Sequence, residues 1–193
     1  MNTVIVKYNA GNIQSVLFAL ERIGVSALVT DDPGLIRESD KVIFPGVGEA
    51  SSAMKYLRER GLDSVLKSLR QPVLGICLGM QLMCGYSEEG DTPCMGIFNT
   101  GVKKFQQGLK IPQIGWNQAM AASGRLFEGL AGSPYFYFVH SYYAGICNDT
   151  AAQTEYGVSF SSALERDNFY GVQFHPEKSA EAGQKLIQNF LSL

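Results

Sequence analysis

The segment Gly75-Ile76-Cys77-Leu78-Gly79 places a cysteine between two glycines, where an apolar strand is followed by a helix. This spacing is typical of a nucleophile elbow, with cysteine as the nucleophile. Glycines permit the sharp turn, because side chains at those positions would collide with neighbouring residues. The turn places Cys77 at a helix N-terminus, which favours a thiolate, and directs the Leu78 N–H towards a developing oxyanion. The alternative is a small buried cysteine beside a glycine-rich turn.

A nucleophilic cysteine requires a base, and His140 and His175 are the only histidines in the sequence. Pro176 biases His175 towards extended backbone, in which side chains two positions apart point the same way. Glu177 can therefore reach one nitrogen of the His175 ring, which leaves the other nitrogen to accept the thiol proton. We predict a catalytic triad of Cys77, His175 and Glu177. His140 has no acid within two residues, and we expect it to be structural or to lie beside the substrate.

A second glycine-rich segment, Pro45-Gly46-Val47-Gly48, follows another apolar strand. In a doubly wound sheet the carboxyl ends of the parallel strands share one edge, and ligands bind there. We therefore expect this loop to lie near Cys77 and to supply a second backbone N–H to the oxyanion. Its glycines allow the backbone to approach a substrate closely.

Composition and charge argue against several classes of protein. Of the 193 residues, 46% are hydrophobic and 18% are charged, and the formal net charge is −2. These values disfavour disorder, and the lack of a basic excess disfavours nucleic-acid binding. No apolar run could span a bilayer and no signal peptide is apparent, so we expect a cytoplasmic protein. The four cysteines form no CxxC pair and no zinc-ligand spacing, so we expect reduced thiols and no metal.

Strands and helices alternate in the first half of the chain. Apolar, β-branched segments predict strands at residues 3–8, 25–30, 41–44 and 72–76. Apolar residues at helical spacing predict helices between them, and Asp31-Asp32-Pro33-Gly34 predicts a turn. Beyond about residue 101 the chain is rich in β signals, with the clearest strands at residues 135–139, 151–156 and 169–174, and a helix over 181–193. We predict one α/β domain over residues 1–193, a doubly wound, flavodoxin-like mixed sheet with extra antiparallel strands in the C-terminal half.

The two catalytic segments together resemble the class-I, triad-type glutamine amidotransferases. This resemblance rests on GICLGMQ at residues 75–81 and on VQFHPE at residues 172–177. Within that class the sequence is similar to the glutaminase subunits of imidazole glycerol phosphate synthases, from about residue 3 to the C-terminus. The segments that carry the narrower resemblance are YNAGN at 8–12, PGVG at 45–48, IPQIGWN at 111–117, YFVHSY at 137–142 and HPEKS at 175–179.

The resemblance implies an activity and assigns further residues to it. The chain would hydrolyse glutamine to glutamate and ammonia through a thioester on Cys77. The oxyanion would be held by the N–H of Leu78 and by that of Val47 or Gly48. The residues that match substrate-binding positions of the family are Gly48, Gln81, Glu89, Ser141 and Tyr142.

The resemblance also implies a partner and no cofactor. In this family ammonia passes to a separate (βα)8-barrel cyclase in a heterodimer, and the loaded cyclase activates a poorly active glutaminase. Asn12, Trp116 and Lys178 are candidates for that interface. Two residues depart from the family pattern: Gln113, where histidine is frequent, and Glu49, where a small or aromatic residue is familiar.

Three other interpretations remain open at the level of sequence. The chain could be the glutaminase subunit of another synthase, such as one making anthranilate or aminodeoxychorismate, although GWN and HPEKS argue against this. It could instead be a stand-alone cysteine hydrolase of peptides or γ-glutamyl conjugates. A catalytically inactive amidotransferase retained as a binding partner is the third, and the intact Cys77, His175 and Glu177 argue against it.

Overall fold

The computed structural model describes residues 1–9, 11–106 and 108–193; Ala10, part of the 8–12 segment, therefore lies outside the described residues. The strands within the described ranges are β1 (Thr3–Val6), β2 (Ala27–Thr30), β3 (Lys41–Gly46), β4 (Val73–Cys77), β5 (Tyr86–Ser87), β6 (Thr92–Pro93), β7 (Gly101–Lys104), β8 (Gln113–Gln118), β9 (Tyr135–His140), β10 (Tyr142–Ala144), β11 (Thr150–Glu155), β12 (Ser159–Arg166) and β13 (Phe169–Val172). The α-helices are α1 (Ile13–Arg22), α2 (Pro33–Glu38), α3 (Ala50–Glu59), α4 (Leu62–Ser68), α5 (Leu78–Met83) and α6 (Ala180–Leu191), and two 3₁₀ turns span Arg125–Phe127 and Pro176–Lys178.

Most strands form one mixed sheet. Strands β2, β1, β3, β4 and β13 lie side by side in that order and are all parallel. This 2-1-3-4-5 order is that of the flavodoxin-like doubly wound sheets. Antiparallel β12 and β10 extend the sheet beyond β13, whereas β8 and β9 form a separate two-stranded sheet. The predicted fold class is therefore confirmed, including the antiparallel strands of the C-terminal half.

Helices cover both faces of the parallel strands, because neighbouring residues of each strand point to opposite faces. Val4 and Val6 of β1 pack with helices α2 to α5, whereas Ile5 packs with α1 and α6. Strands β1, β3 and β4 are buried throughout, as expected for a parallel sheet with two covered faces. In the described parts of the chain, none of the helices has the length and apolar character needed to cross a membrane.

The turn predicted at residues 31–34 is wrong, because these residues begin helix α2. The Asp32 carboxylate accepts hydrogen bonds from the N–H groups of Gly34 (2.7 Å) and Leu35 (3.0 Å), and Pro33 occupies the first helical position. Asp, Pro and Gly occur both in turns and at helix starts. Helix α2 has only 6 residues, and Leu35 and Ile36 are its only apolar residues after Gly34, so the sequence shows no helical periodicity there.

The order of the strands determines which residues meet at the carboxyl edge of the sheet. Gly46 of β3 is in register with Cys77 of β4, and Val172 of β13 is in register with Ile76. The Pro45–Gly48 loop and the residues that follow Val172 therefore flank Cys77 on either side. This edge is the place where open α/β sheets bind ligands.

Gly79 allows α5 to pack directly on β3, and we expect Gly79→Ala to destabilise the protein. A Cβ atom at Gly79 would overlap the backbone carbonyl of Phe44, which cannot move without distorting the sheet. Alanine gains about 1 kcal/mol over glycine in helix propensity, but overpacking against backbone outweighs it, so the free energy of unfolding should fall by about 2 kcal/mol. Urea unfolding measures this directly. Gly101→Ala is the control, because a Cβ there meets nothing nearer than 4.0 Å; equal stability of the two variants would contradict the prediction.

Candidate active site

Cys77 occupies a strained turn between β4 and α5. Its backbone angles are φ 53° and ψ −110°, a conformation that side-chain-bearing residues rarely adopt. Such strain in a non-glycine residue is typical of nucleophile elbows and other functional sites. A Cβ atom at Gly75 would lie 2.9 Å from the Met80 nitrogen, so the predicted steric need for glycine beside the turn is confirmed there.

The structure brings His175 and Glu177 together as the sequence predicts. The Nδ1 atom of His175 lies 2.8 Å from Oε1 of Glu177, and both side chains are buried. The geometry differs in one respect, because residues 176–178 form a 3₁₀ turn rather than extended chain. The turn still carries the carboxylate back to the ring, and Nε2 remains available to Cys77.

A cavity of about 330 Å³ opens beside Cys77 and His175. The loop at Val47 and Gly48 forms part of its wall, as the topology predicts. The other sequence-predicted residues that line it are Leu78, Gln81, Glu89, His140, Ser141, Tyr142 and Lys178. Asn12, Trp116 and Glu177 do not line the cavity. The lining is mostly apolar with a few polar groups such as His175, Gln81 and Glu89, which is the usual composition of a small-ligand site.

Comparison with known proteins gives a consistent result over the whole chain. The model of the family described as Glutamine amidotransferase class-I matches residues 5–193. Two curated relatives, each named Imidazole glycerol phosphate synthase subunit HisH, come from Bacteroides fragilis and Bacteroides thetaiotaomicron. They are 55% and 52% identical to this chain, and each alignment covers 100% of both sequences. The chain belongs to the HisH family of class-I glutamine amidotransferases.

A solved structure shares the fold of this amidotransferase at low sequence identity. The crystal structure of a glutamine amidotransferase superposes with a TM-score of 0.76 at 20% identity, over 98% of this chain and 97% of that one. At such identity the likeness concerns the fold alone. The resemblance stated from the two catalytic segments is confirmed by the family match and the HisH relatives.

Electrostatics keep the His175 ring of the amidotransferase protonated at neutral pH. Burial alone lowers the pKa of His175, because it disfavours the charged ring. Interactions with Cys77 and Glu177 act the other way and outweigh it, and they raise the pKa of His175 to about 10. The site therefore holds an imidazolium that can give a proton to a leaving group beside Cys77.

Asn12, predicted at a partner interface, contacts the Glu177 carboxylate. Its side-chain amide donates a hydrogen bond to Oε1 of Glu177, the oxygen that also faces His175. Asn12 begins helix α1, yet its side chain caps no N–H of that helix. Arg22, from the last turn of α1, donates to the Glu177 carbonyl over 3.3 Å. Helix α1 thus holds the segment that carries the acid at two points.

Tyr8 is a functional candidate that the sequence reasoning missed. Its hydroxyl donates a hydrogen bond of 2.7 Å to the carbonyl of Pro45, directly before the Gly46–Gly48 loop. Burial and the nearby Cys77 raise the pKa of the Tyr8 hydroxyl, so it stays a donor. A Cβ atom at Gly46 would overlap this hydroxyl. Tyr8 therefore fixes the strand end that leads to Val47 and Gly48.

Two glutamates meet at the start of α3. Glu49, the departure from the family pattern, caps the helix by accepting from the N–H groups of Ser51 (3.1 Å) and Ser52 (2.9 Å). Glu89 accepts from the Ala50 N–H over 2.9 Å and faces the cavity. Partial burial raises the pKa of Glu89, which lacks a cationic partner among the ion pairs of the described residues.

His140 is held by protein groups at both ring nitrogens. Nδ1 lies 2.7 Å from the Tyr142 carbonyl, and Nε2 lies 2.9 Å from the side-chain oxygen Oε1 of Gln113. Burial lowers the pKa of His140 to about 4, so the ring is neutral. The Tyr142 carbonyl and the Gln113 amide oxygen both accept, and the neutral ring has a single N–H to donate to one of them. A ring whose two nitrogens are both engaged is not placed to serve as the base for Cys77.

Trp116 lies on an exposed apolar strip formed by the β8–β9 sheet. Side chains of the strip pair across the strands, Ile114 with Val139, Trp116 with Tyr137 and Gln118 with Tyr135. Ile114, Trp116 and Tyr135 expose 59%, 53% and 54% of their surface. Val139 at one end of the strip also lines the cavity. Apolar patches of this kind mark interaction surfaces on soluble proteins.

Proposed function

We propose that this chain is the glutaminase subunit of an imidazole glycerol phosphate synthase, and that it hydrolyses L-glutamine to L-glutamate and ammonia. The observation that carries the proposal is the buried pair of His175 and Glu177 beside a cysteine in an elbow turn, all at one cavity of a HisH-family chain. In this proposal Cys77 is the nucleophile, His175 the acid and base, and Glu177 the group that orients and stabilises the ring.

The reaction follows from the protonation states of the site. The Cys77 sulfur attacks the side-chain amide carbon of glutamine, and the C=O electrons move to oxygen. The N–H groups of Leu78 and of Val47 or Gly48 hold that oxyanion. The His175 imidazolium gives its proton to the amide nitrogen as the C–N bond breaks, so ammonia leaves and a thioester remains. His175 then takes a proton from water, whose oxygen replaces sulfur on the carbonyl carbon and releases glutamate.

The cavity supplies complementary partners for the two ends of glutamine. The Gln81 side-chain nitrogen already donates to Tyr142 and Gln173, so its oxygen is the atom left to accept from a substrate N–H. Glu89 provides a carboxylate for the α-ammonium group. Ser141, Tyr142 and Gly48 also line the cavity, and in this proposal their backbone groups bind the remaining polar atoms of glutamine.

The partner in this proposal is a separate (βα)8-barrel cyclase, which would dock on the strip of Ile114, Trp116 and Tyr135. Lys178 lies at the cavity and one residue from Glu177, so it adds a cation where the strip meets the site. Asn12 and Arg22 extend this face to helix α1. A partner bound here would contact both the cavity rim and the residues that hold the triad acid.

Glutamate release from glutamine, with and without the cyclase and its nucleotide ligand, tests the proposed function. Binding at one site typically changes the affinity of a coupled site by about 5–150-fold. We expect a stimulation of glutamine hydrolysis of similar size, about 10–100-fold, that saturates at one cyclase per chain. High activity without stimulation would instead favour a stand-alone hydrolase or the subunit of another synthase. No glutamate release in either condition would overturn the proposed reaction.

A further inference from the structure

A continuous chain of buried hydrogen bonds leads from the wall of the cavity to the Cys77 sulfur. The Gln81 side-chain nitrogen donates to the Tyr142 carbonyl (2.9 Å) and to the Gln173 side-chain oxygen (2.9 Å). The Gln173 side-chain nitrogen lies 3.6 Å from the sulfur of Cys77. Gln173 directly follows strand β13 and is completely buried.

The Tyr142 carbonyl sets the direction of every bond in this chain. A carbonyl only accepts, so the Gln81 atom that faces it must be the amide nitrogen. That nitrogen also faces the Gln173 side chain, which must therefore present its oxygen to Gln81. The Gln173 NH₂ group is then left facing the sulfur. The reverse orientation would set two NH₂ groups against each other and an oxygen against the sulfur, which is unfavourable on both sides.

We propose that Gln173 stabilises the Cys77 thiolate by donating an amide hydrogen bond to its sulfur, in an orientation imposed by Gln81. The inference rests on the proposed role of Cys77 as nucleophile. A buried thiolate loses water as a donor, so a fixed N–H in its place favours the charged form. Preorganised donors of this kind cost no reorganisation when charge develops.

The other groups around the sulfur leave this role to Gln173. Two titratable side chains, His175 and Tyr8, lie close enough to Cys77 for their charges to interact with it. The Tyr8 hydroxyl donates its proton to the Pro45 carbonyl and so turns its oxygen, not its proton, to the surroundings. The Val139 carbonyl, 3.8 Å from the sulfur, only accepts. Gln173 is thus a neutral donor to the sulfur, alongside the His175 cation.

The pH dependence of Cys77 alkylation by iodoacetamide tests the inference, with modification at Cys77 followed by peptide mass spectrometry. In Gln173→Met, which keeps an unbranched side chain but has no donor, we expect the midpoint to rise by about one pH unit. In Gln173→Glu, whose carboxylate accepts from Gln81 but places a negative oxygen against sulfur, we expect a rise of about two pH units. Ser162→Ala is the matched control, because this buried hydroxyl has no hydrogen-bond partner among the described residues and the Ser162 carbonyl accepts from the Gln173 N–H.

The outcomes separate a role at the sulfur from a merely structural one. A structural role would lower the unfolding temperature of the Gln173 variants and leave their alkylation midpoints at the wild-type value, and that result would overturn the inference. If Gln173→Glu does not fold, Gln173→Met decides alone. The readout needs no glutamine: raised midpoints in a wild-type chain that fails to hydrolyse glutamine would keep the inference and reject the proposed function. Glutamine hydrolysis by the wild-type chain, together with unchanged alkylation midpoints in the Gln173 variants, would keep the proposed function and reject the inference.

Discussion

Cys77→Ala should lower glutamine hydrolysis by at least about 10⁴-fold, since removal of a triad nucleophile in hydrolases costs up to about 10⁶-fold. No other described residue at the cavity combines a nucleophilic atom with an elbow turn and an adjacent imidazolium. The remaining activity would come from binding and from the N–H groups that hold the oxyanion. We would measure glutamate release with the activating partner present. Assays over hours at high enzyme concentration can detect an activity that is lower than that of the wild type by this factor.

Cys147→Ala provides the control for this experiment, because Cys147 is a partly accessible free cysteine that lines a different pocket from the triad. We expect wild-type turnover in that variant. We also expect Cys77→Ala to bind the partner as tightly as the wild type, since its side chain takes no part in the exposed strip at Ile114 and Trp116. Retention of more than a tenth of the activity in Cys77→Ala would reject Cys77 as the nucleophile.

The arrangement of Cys77, His175 and Glu177 could be predicted because the parts of the candidate site are local in sequence. The elbow is a run of five residues, and His175 and Glu177 are separated by one proline. Each motif therefore carries its geometry in its own backbone, and the strand order needed to bring the two together follows from alternating strands and helices. The parallel half of the sheet could be predicted for the same reason.

The residues that support the triad could not be predicted in this way. Asn12 and Glu177 are 165 positions apart, and Gln173 and Cys77 are 96 positions apart. Nothing in the local sequence of Asn12 distinguishes a helix cap from a partner for a distant carboxylate. Tyr8 likewise appears as the end of an apolar strand. Such contacts depend on how α1, β9 and β13 pack, which no single segment encodes.

Glu177→Gln should lower glutamine hydrolysis by about 10–10³-fold above pH 10 and far less at neutral pH, because loss of the carboxylate lowers the pKa of His175 by about 1–3 pH units. The position of Asn12 determines how the introduced amide of residue 177 is oriented. Its NH₂ group requires an oxygen at the Oε1 position of residue 177, and the same oxygen faces Nδ1 of His175. The introduced amide therefore keeps its oxygen there and turns its NH₂ to the Oε2 position, which is buried and has no hydrogen-bond partner in the part of the chain that the structure describes. The ring keeps its tautomer and loses only the charge that stabilises the imidazolium.

The alkaline limb of the pH–rate profile shows whether Glu177 tunes the charge of the His175 ring or only positions the ring. In the wild type, activity should fall as pH rises through the His175 pKa of about 10, where the proton needed by the leaving ammonia is lost. A lower pKa in Glu177→Gln moves this limb to lower pH, so the deficit should shrink as the assay is made more acidic. Glu181→Gln, an exposed carboxylate in the first turn of α6, should leave the limb in place. A uniform loss of activity at every pH would instead mean that Glu177 positions the ring without tuning its charge.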